Sequence, residues 1–440
     1  MAEREAKRAR VADDFAVSAN DCLTIHVLNP VQEAAGVIAD DAAFHPEFTH
    51  QIFGDDEEIK GYSGLAIDVY VSQRDMRTLI EVSYTSKRPK ADDVLKLLRE
   101  AFPAGFTQDR QKFLEQLPRT QSLTAQQLGE EVSHATLTDG SKLAVHHTNI
   151  ASADQAVQAL HARLKPHLLF FIDGASSIDA ADPRWDLFLT VQHRGQHTWV
   201  LGFCTVYSFY AYPSSTRLRL SQILVLPHNQ RKGVGQLLLK AVYQVAEQRN
   251  VTDVTFEDPT DDLQALRERV DLRRAMAQSK LPAAAAEVAK AFESGKGKAM
   301  AQHDSLALHP QQVMQAMADL KITKKQVRQI WEALLYAQPA MRSPAGLAAL
   351  RDMVQRRLVG AVTSTKQVAE NKRIFDVKDS GFVMCRCRGA PRTAGAPIAM
   401  ETEEEAGQSA EEREAQLKEA MDARMRELHA QVQHIGLLQA

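Results

Sequence analysis

A chain of 440 residues is too long for one ordinary domain and implies two to three folded units. Its 44% hydrophobic and 25% charged residues allow sizeable cores, and a formal net charge of −3 argues against a generic nucleic-acid binder, which would carry a broad basic excess. The four cysteines are too few and too scattered for a disulfide framework, which favours a reducing compartment. Cys385 and Cys387 flank Arg386 without a second Cys or His cluster nearby, so no metal is expected there. No apolar run approaches the roughly 20 residues that span a bilayer, and no membrane association is expected. The N-terminus lacks an apolar stretch of the secretory kind. Lys7-Arg8-Ala9-Arg10 fits either part of a nuclear import signal or a solvated tail.

In chain order, residues 1–20 read as a tail and 21–130 as a small α+β domain. Leu65–Val71 and Thr78–Tyr84 are strand-like there, and Val94, Leu97 and Leu98 follow at helical spacing. Residues 131–265 are more regular. Leu187–Val191 and Trp199–Phe203 flank Arg194-Gly195-Gln196 as a hairpin, and a third strand is expected from Thr205 to Tyr212. Leu218–Leu226 ends in Ile223-Leu224-Val225-Leu226, the pattern of a strand buried on both faces. A glycine-containing loop and an amphipathic helix over 236–248 follow, then a short strand, Val251–Phe256. Residues 266–340 read as a helical region, with a flexible interruption at Ser294–Lys298. Residues 341–440 read as a charged helical tail with a loop near 389–400, and Glu403–His434 as a solvated or partner-facing helix.

Chemistry concentrates in Gln222–Gln236: a strand, a short loop with glycines two apart, and the start of a helix. Glycines let a backbone approach a ligand, and consecutive N–H groups at a helix N-terminus suit a pyrophosphate. A tight strand-to-helix turn would explain the same glycines. The spacing is neither that of a nucleotide P-loop nor, lacking a third glycine, that of a dinucleotide fingerprint.

Gln230-Arg231-Lys232-Gly233-Val234-Gly235 resembles the Q/R-x-x-G-x-G/A signature of the GCN5-related N-acetyltransferases. The resemblance narrows to type B histone acetyltransferases through Thr49–Glu57, Arg184-Trp185, Thr205-Val206-Tyr207 with Tyr212-Pro213, Ser221-Gln222, Glu257-Asp258-Pro259 and Lys321–Val327. These segments extend from about 45 to 340, with a weak patch near 110–165. The resemblance implies an α/β (α+β) fold: a mixed N-acetyltransferase sheet flanked by helices over 131–265, with an N-terminal α+β domain and a C-terminal helical region. It also implies that residues 230–236 (Gln230, Arg231, Lys232, Gly233, Val234, Gly235, Gln236) hold the acetyl-CoA diphosphate. Ile223, Leu224 and Val225 would pair with the pantetheine arm, with a backbone N–H near Leu224 as oxyanion donor.

By the same resemblance Glu257 is the general base, and Asp258 assists in proton removal or substrate placement. Asp55, Asp56 and Glu57 would meet a basic histone tail, although the local sequence by itself favours a solvated acidic turn. Trp185, Tyr207 and Phe209 would line the peptide groove, with core packing as the competing reading. Phe209 departs from the tyrosine common there, losing a hydroxyl while keeping the aromatic wall.

The function so implied is acetylation of lysines in the tail of free, newly made histone H-four, alongside a WD40-repeat histone chaperone, in nucleus and cytoplasm. Two alternatives stand beside it: a superfamily enzyme acting on another amine, and a non-catalytic histone-binding scaffold.

Overall fold

Alternating β-branched and apolar residues build two sheets in the first half of the chain, and helices fill the second. The computed structural model describes residues 15–38, 43–137, 140–194, 197–294, 306–371 and 410–437. Lys7–Arg10, Gly195-Gln196, Gly295–Lys298, Cys385, Cys387 and the loop near 389–400 lie outside the described residues. The chain divides into two compact units at Leu266/Arg267.

In the first unit a four-stranded sheet comprises β1 (Leu23–Leu28), β2 (Ala43–Phe44), β3 (Ala66–Ser72) and β4 (Thr78–Ser83), in the order β2-β1-β3-β4. β1 and β3 are parallel and the outer pairs antiparallel. Ile67, Val69 and Val71 alternate along β3 and are all buried, which is why this stretch forms a strand. Residues 15–20, expected as tail, are ordered instead. Ala16–Ser18 pairs with Glu58–Lys60, and the Ala19 amide donates to the Glu57 carbonyl at 2.7 Å. Helices beside this sheet include the single turn α1 (His50–Phe53) and α2 (Val94–Ala101). Asp93 caps α2 through the Lys96 amide at 3.1 Å.

The second sheet has six strands: β5 (Glu130–Thr136), β6 (Lys142–Asn149), β7 (Trp185–Arg194), β8 (His197–Ala211), β9 (Ser215–Val225) and β10 (Val254–Phe256). They lie in the order β10-β9-β8-β7-β6-β5, antiparallel except for the parallel β9–β10 pair. Two of the expected strands, Trp199–Phe203 and Thr205–Tyr212, are one continuous strand, β8, because ladders to β7 and β9 carry it through from both sides. Nor is β9 buried on both faces. Leu218, Leu220, Gln222 and Leu224 are buried, whereas Ile223 and Val225 are half-buried. Pairing with β10 covers only Leu218–Leu220, so the rest of β9 has a strand on one side alone.

Helix α3 (Gln155–Leu168) buries Val157, Leu160, Leu164 and Leu168, the i, i+3, i+4 stripe of a core-facing helix. Helix α4 (Val234–Gln248) packs on β5, β7 and β8. Just beyond it, Arg249 pairs with the buried Asp186 of β7, which His147 also meets at 3.2 Å. Ile25, Ile67 and Val69 of the first sheet share one continuous core with Leu160, Leu187, Phe203 and Leu224 of the second sheet and α3.

Helix α5 (Asp261–Gln278) crosses the boundary into the second unit, which continues with α6 (Leu281–Glu293), α7 (Pro310–Leu320), α8 (Lys324–Ala337), α9 (Pro344–Asn371) and α10 (Ala410–His434). Val327, Ile330, Trp331 and Leu334 form the buried stripe of α8. The expectation that α10 is solvated or partner-facing is corrected: Met425, Leu428 and Val432 are buried, and α10 packs on α8 and α9. Its charges hid this. Arg424 is only 5% exposed because Glu268 and Glu332 meet its guanidinium at 2.8 and 3.1 Å.

Candidate active site

The glycine loop follows the point where β9 has left β10. Pro227–Asn229 make one tight turn, and the chain enters α4 through Arg231 at φ 59° and Gly233 at φ 84°. A Cβ at Gly233 would project into open space. Glycine is therefore required there by the left-handed backbone, and by anything approaching the loop, rather than by packing. No side chain caps α4, so the N-terminal amides of a 15-residue helix open onto an exposed loop. Burial pushes the nearby His228 imidazole down to about 4. Positive charge on the loop is thus carried by the exposed Arg231 and Lys232, with Arg231 paired to Asp262 at 2.7 Å. Ile223, Leu224 and Val225 lead into this cradle along the one-sided stretch of β9. An anion of diphosphate size joined to an extended apolar arm fits such a surface.

Glu257 lies one residue past β10, its amide donating to the Leu220 carbonyl at 2.9 Å and its exposed carboxylate accepting from Ser221 Oγ at 2.6 Å. Asp258 follows at φ 33° and is also exposed. Across β9, on β8 and β7, lies an aromatic row. Trp185 and Tyr207 are cross-strand partners with centroids 4.7 Å apart, and Tyr207 and Phe209 are 4.6 Å apart. Arg184 stacks over Tyr207 and Arg219 over Phe209. The Tyr207 hydroxyl donates to Asp182 at 3.0 Å, and Arg184 grips the same carboxylate at 2.8 Å. The Arg184 hydrogen bonds push the Asp182 carboxyl down to about 2. Tyr207 is half-buried and Phe209 exposed, whereas the half-buried Trp185 also packs against the core.

The acidic turn divides. Asp55 and Asp56 are exposed, but Glu57 is engaged within the protein. It accepts from the Thr49 and His50 amides at 2.6 and 3.0 Å and from Asn20 Nδ2 at 2.7 Å. The Thr49 amide chiefly, with Asn20 and His50, holds its carboxyl below the usual range. Glu57 therefore caps α1, leaving Asp55 and Asp56 as the carboxylates that face outward.

Three contacts tie this turn toward Glu257. Gln51 Nε2 donates to the Ala175 carbonyl at 3.0 Å, Gln222 Nε2 to the Ser176 carbonyl at 2.7 Å, and His50 Nε2 lies 3.4 Å from Asp173. Asp173 and Ser176 escaped the sequence reading because their partners, His50 and Gln222, are distant in the chain, as Tyr207 is from Asp182. Ser221-Gln222 stood among the matched segments, but without a role. The described residues contain no group of three or more His, Cys, Asp or Glu side chains placed to hold a metal.

Residues 158–268 match the family described as "Acetyltransferase (GNAT) family", and residues 15–173 match "Histone acetyl transferase HAT1 N-terminus". Fold and matches together define an acyltransferase that uses acetyl-CoA. Among relatives, the chain is similar to the histone acetyltransferase type B catalytic subunit of Arabidopsis thaliana, at 28% identity over 96% of this chain and 93% of the relative. For the Zea mays protein of the same description the figures are 30%, 85% and 81%, and for the Homo sapiens protein 31%, 72% and 74%. The chain belongs to the family of histone acetyltransferase type B catalytic subunits.

Proposed function

We propose that this histone acetyltransferase modifies lysine side chains in the N-terminal tail of free, newly made histone H-four, with Glu257 as general base. The observation that carries the reading is the placement of the Glu257 carboxylate: exposed, hydrogen-bonded by Ser221, and located where β9 and β10 part. Bound acetyl-CoA supplies the activated thioester acyl group. The amides from Gln230 to Gln236 hold its diphosphate, and the free edge of Ile223–Val225 aligns the arm. A free lysine titrates near 10.4, so fewer than about one in a thousand is nucleophilic at neutral pH. Glu257 removes that proton, directly or through water, and the neutral amine attacks as the thiol leaves. Asp258 assists in holding the cation beforehand. The Leu224 amide suits the developing oxyanion.

Asp55 and Asp56 attract the lysine- and arginine-rich tail, and Trp185, Tyr207 and Phe209 wall the groove. A WD40-repeat histone chaperone is the proposed partner, and nucleus and cytoplasm the proposed compartments.

The test is coenzyme A release on mixing acetyl-CoA with a free histone H-four tail peptide, comparing wild type with Glu257→Gln. A loss of roughly 10²–10⁴-fold with cofactor binding retained is expected. Full activity in the variant overturns the base. Turnover on other histone tails but not on this one overturns the substrate.

A further inference from the structure

The ladder between β8 and β9 is irregular beside the base. Thr205 pairs with Gln222, but the next residue, Val206, pairs with Leu220, so Ser221 is an extra residue in β9 without a partner on β8. Such a β-bulge re-aims a side chain and ends regular pairing, and here both happen at once. Pairing with β10 stops at Leu220, and the Ser221 hydroxyl turns to Glu257. The bulge is held from within the sheet. Gln222 is 4% exposed, accepts from Thr205 Oγ1 at 3.1 Å and donates to the Ser176 carbonyl at 2.7 Å. On the other side, the Glu257 amide bonded to the Leu220 carbonyl fixes the backbone that carries the carboxylate.

We propose that Ser221 is the positioning residue of the general base, its hydroxyl holding Glu257 in one rotamer. This rests on the reading of Glu257 as the base. An exposed glutamate otherwise samples many rotamers, and a base must sit within hydrogen-bond reach of the proton it takes. The serine occupies Oε2, which leaves Oε1 to receive the proton from the substrate amine. The placement depends on the bulge, because a one-residue change of register exchanges the faces of a strand.

The experiment measures kcat and KM for histone-tail acetylation in the full chain, for wild type, Ser221→Ala, Glu257→Gln and the double variant. Ser221→Thr and Ser221→Val form a second pair that differ chiefly in the hydroxyl. Ser221→Ala is expected to lower kcat/KM about 10-fold, through kcat rather than KM, with acetyl-CoA affinity unchanged. Ser221→Thr is expected to stay near wild type and Ser221→Val to behave as alanine does. In the Glu257→Gln background the serine change should add nothing further. An unchanged kcat in both Ser221→Ala and Ser221→Val, with Glu257→Gln strongly impaired, overturns the role of Ser221 and leaves the base standing. The same is true of a full additive loss in the double variant. A Glu257→Gln enzyme of normal rate removes the base itself, and the proposal with it.

Discussion

Arg424 offers the sharpest test of how the C-terminal helix is held. Its guanidinium reaches Glu268 at 2.8 Å, Glu332 at 3.1 Å, Glu427 at 3.0 Å and the Gln329 carbonyl at 3.3 Å. Burial alone would lower the tendency of Arg424 to stay charged, but Glu268 and Glu332 outweigh it and raise it. Arg424→Met keeps much of the volume and removes the charge. Glu332 retains Arg357, and Glu268 retains the neutral donors Gln329 and Gln431. Leaving a buried carboxylate without its cation costs about 3–5 kcal/mol, and the surviving Arg357 pair favours the lower end, about 3 kcal/mol. At roughly 3 °C per kcal/mol, the transition of the second unit should fall by about 10 °C. Calorimetry measures it, and amide exchange along α10 locates it. Adding Glu268→Gln removes the carboxylate that faced the lost cation and should restore about half the loss. A drop below about 1 kcal/mol, or no recovery in the double variant, would refute the idea that this ion cluster clasps the helix.

Three further outcomes follow from the geometry. Gly233→Ala places a Cβ in open space but on a backbone at φ 84°, so a penalty of about 1–2 kcal/mol is expected, read as a small fall in Tm and a several-fold weaker acetyl-CoA Kd by titration calorimetry. Glu57→Ala removes the acceptor for two amides and Asn20 and should destabilise the first unit by about 1–3 kcal/mol, whereas Asp55→Asn with Asp56→Asn should leave Tm unchanged and raise the peptide KM, most clearly at low salt. Burial acts to raise the Asp186 carboxyl, but hydrogen bonds from His147 and Arg249 outweigh it and hold it below its ordinary value of 3.8. Its contribution is therefore complete above about pH 4 and is lost as pH falls through the lower folded value, so Asp186→Asn should be less stable at neutral pH and show a shallower acid denaturation curve.

Much of the site was legible because its signals are local. The glycine loop, its strand and helix, and Glu257 at a strand end all fall within 36 residues, Gln222 to Glu257; the elements follow from residue type and spacing, and the roles expected of them from the family resemblance. What stayed hidden depends on partners far along the chain. Glu57 looked like an outward-facing acid until Thr49, His50 and Asn20 were seen around it. The bulge at Ser221 is a property of two strands and leaves no periodic mark on one. Ile223-Leu224-Val225-Leu226 carried the apolarity of an interior strand, yet β10 pairs with β9 only before it. Likewise α10 reads as solvated because the carboxylates that neutralise Arg424 lie on α5 and α8.

The core shared by the two sheets has a consequence for how this enzyme can be divided or changed. A fragment cut to the acetyltransferase match at residues 158–268 would expose Leu160, Leu187, Leu189 and Phe203 along the surface where Ile25, Ile67 and Val69 belong. It would also lose Gln51, and with it a tie between α1 and the loop that steadies Gln222. The N-terminal layer is thus not an exchangeable module attached to a self-sufficient acetyltransferase sheet. Grafting a new substrate preference onto this scaffold requires rebuilding the N-terminal layer and the sheet beneath it together.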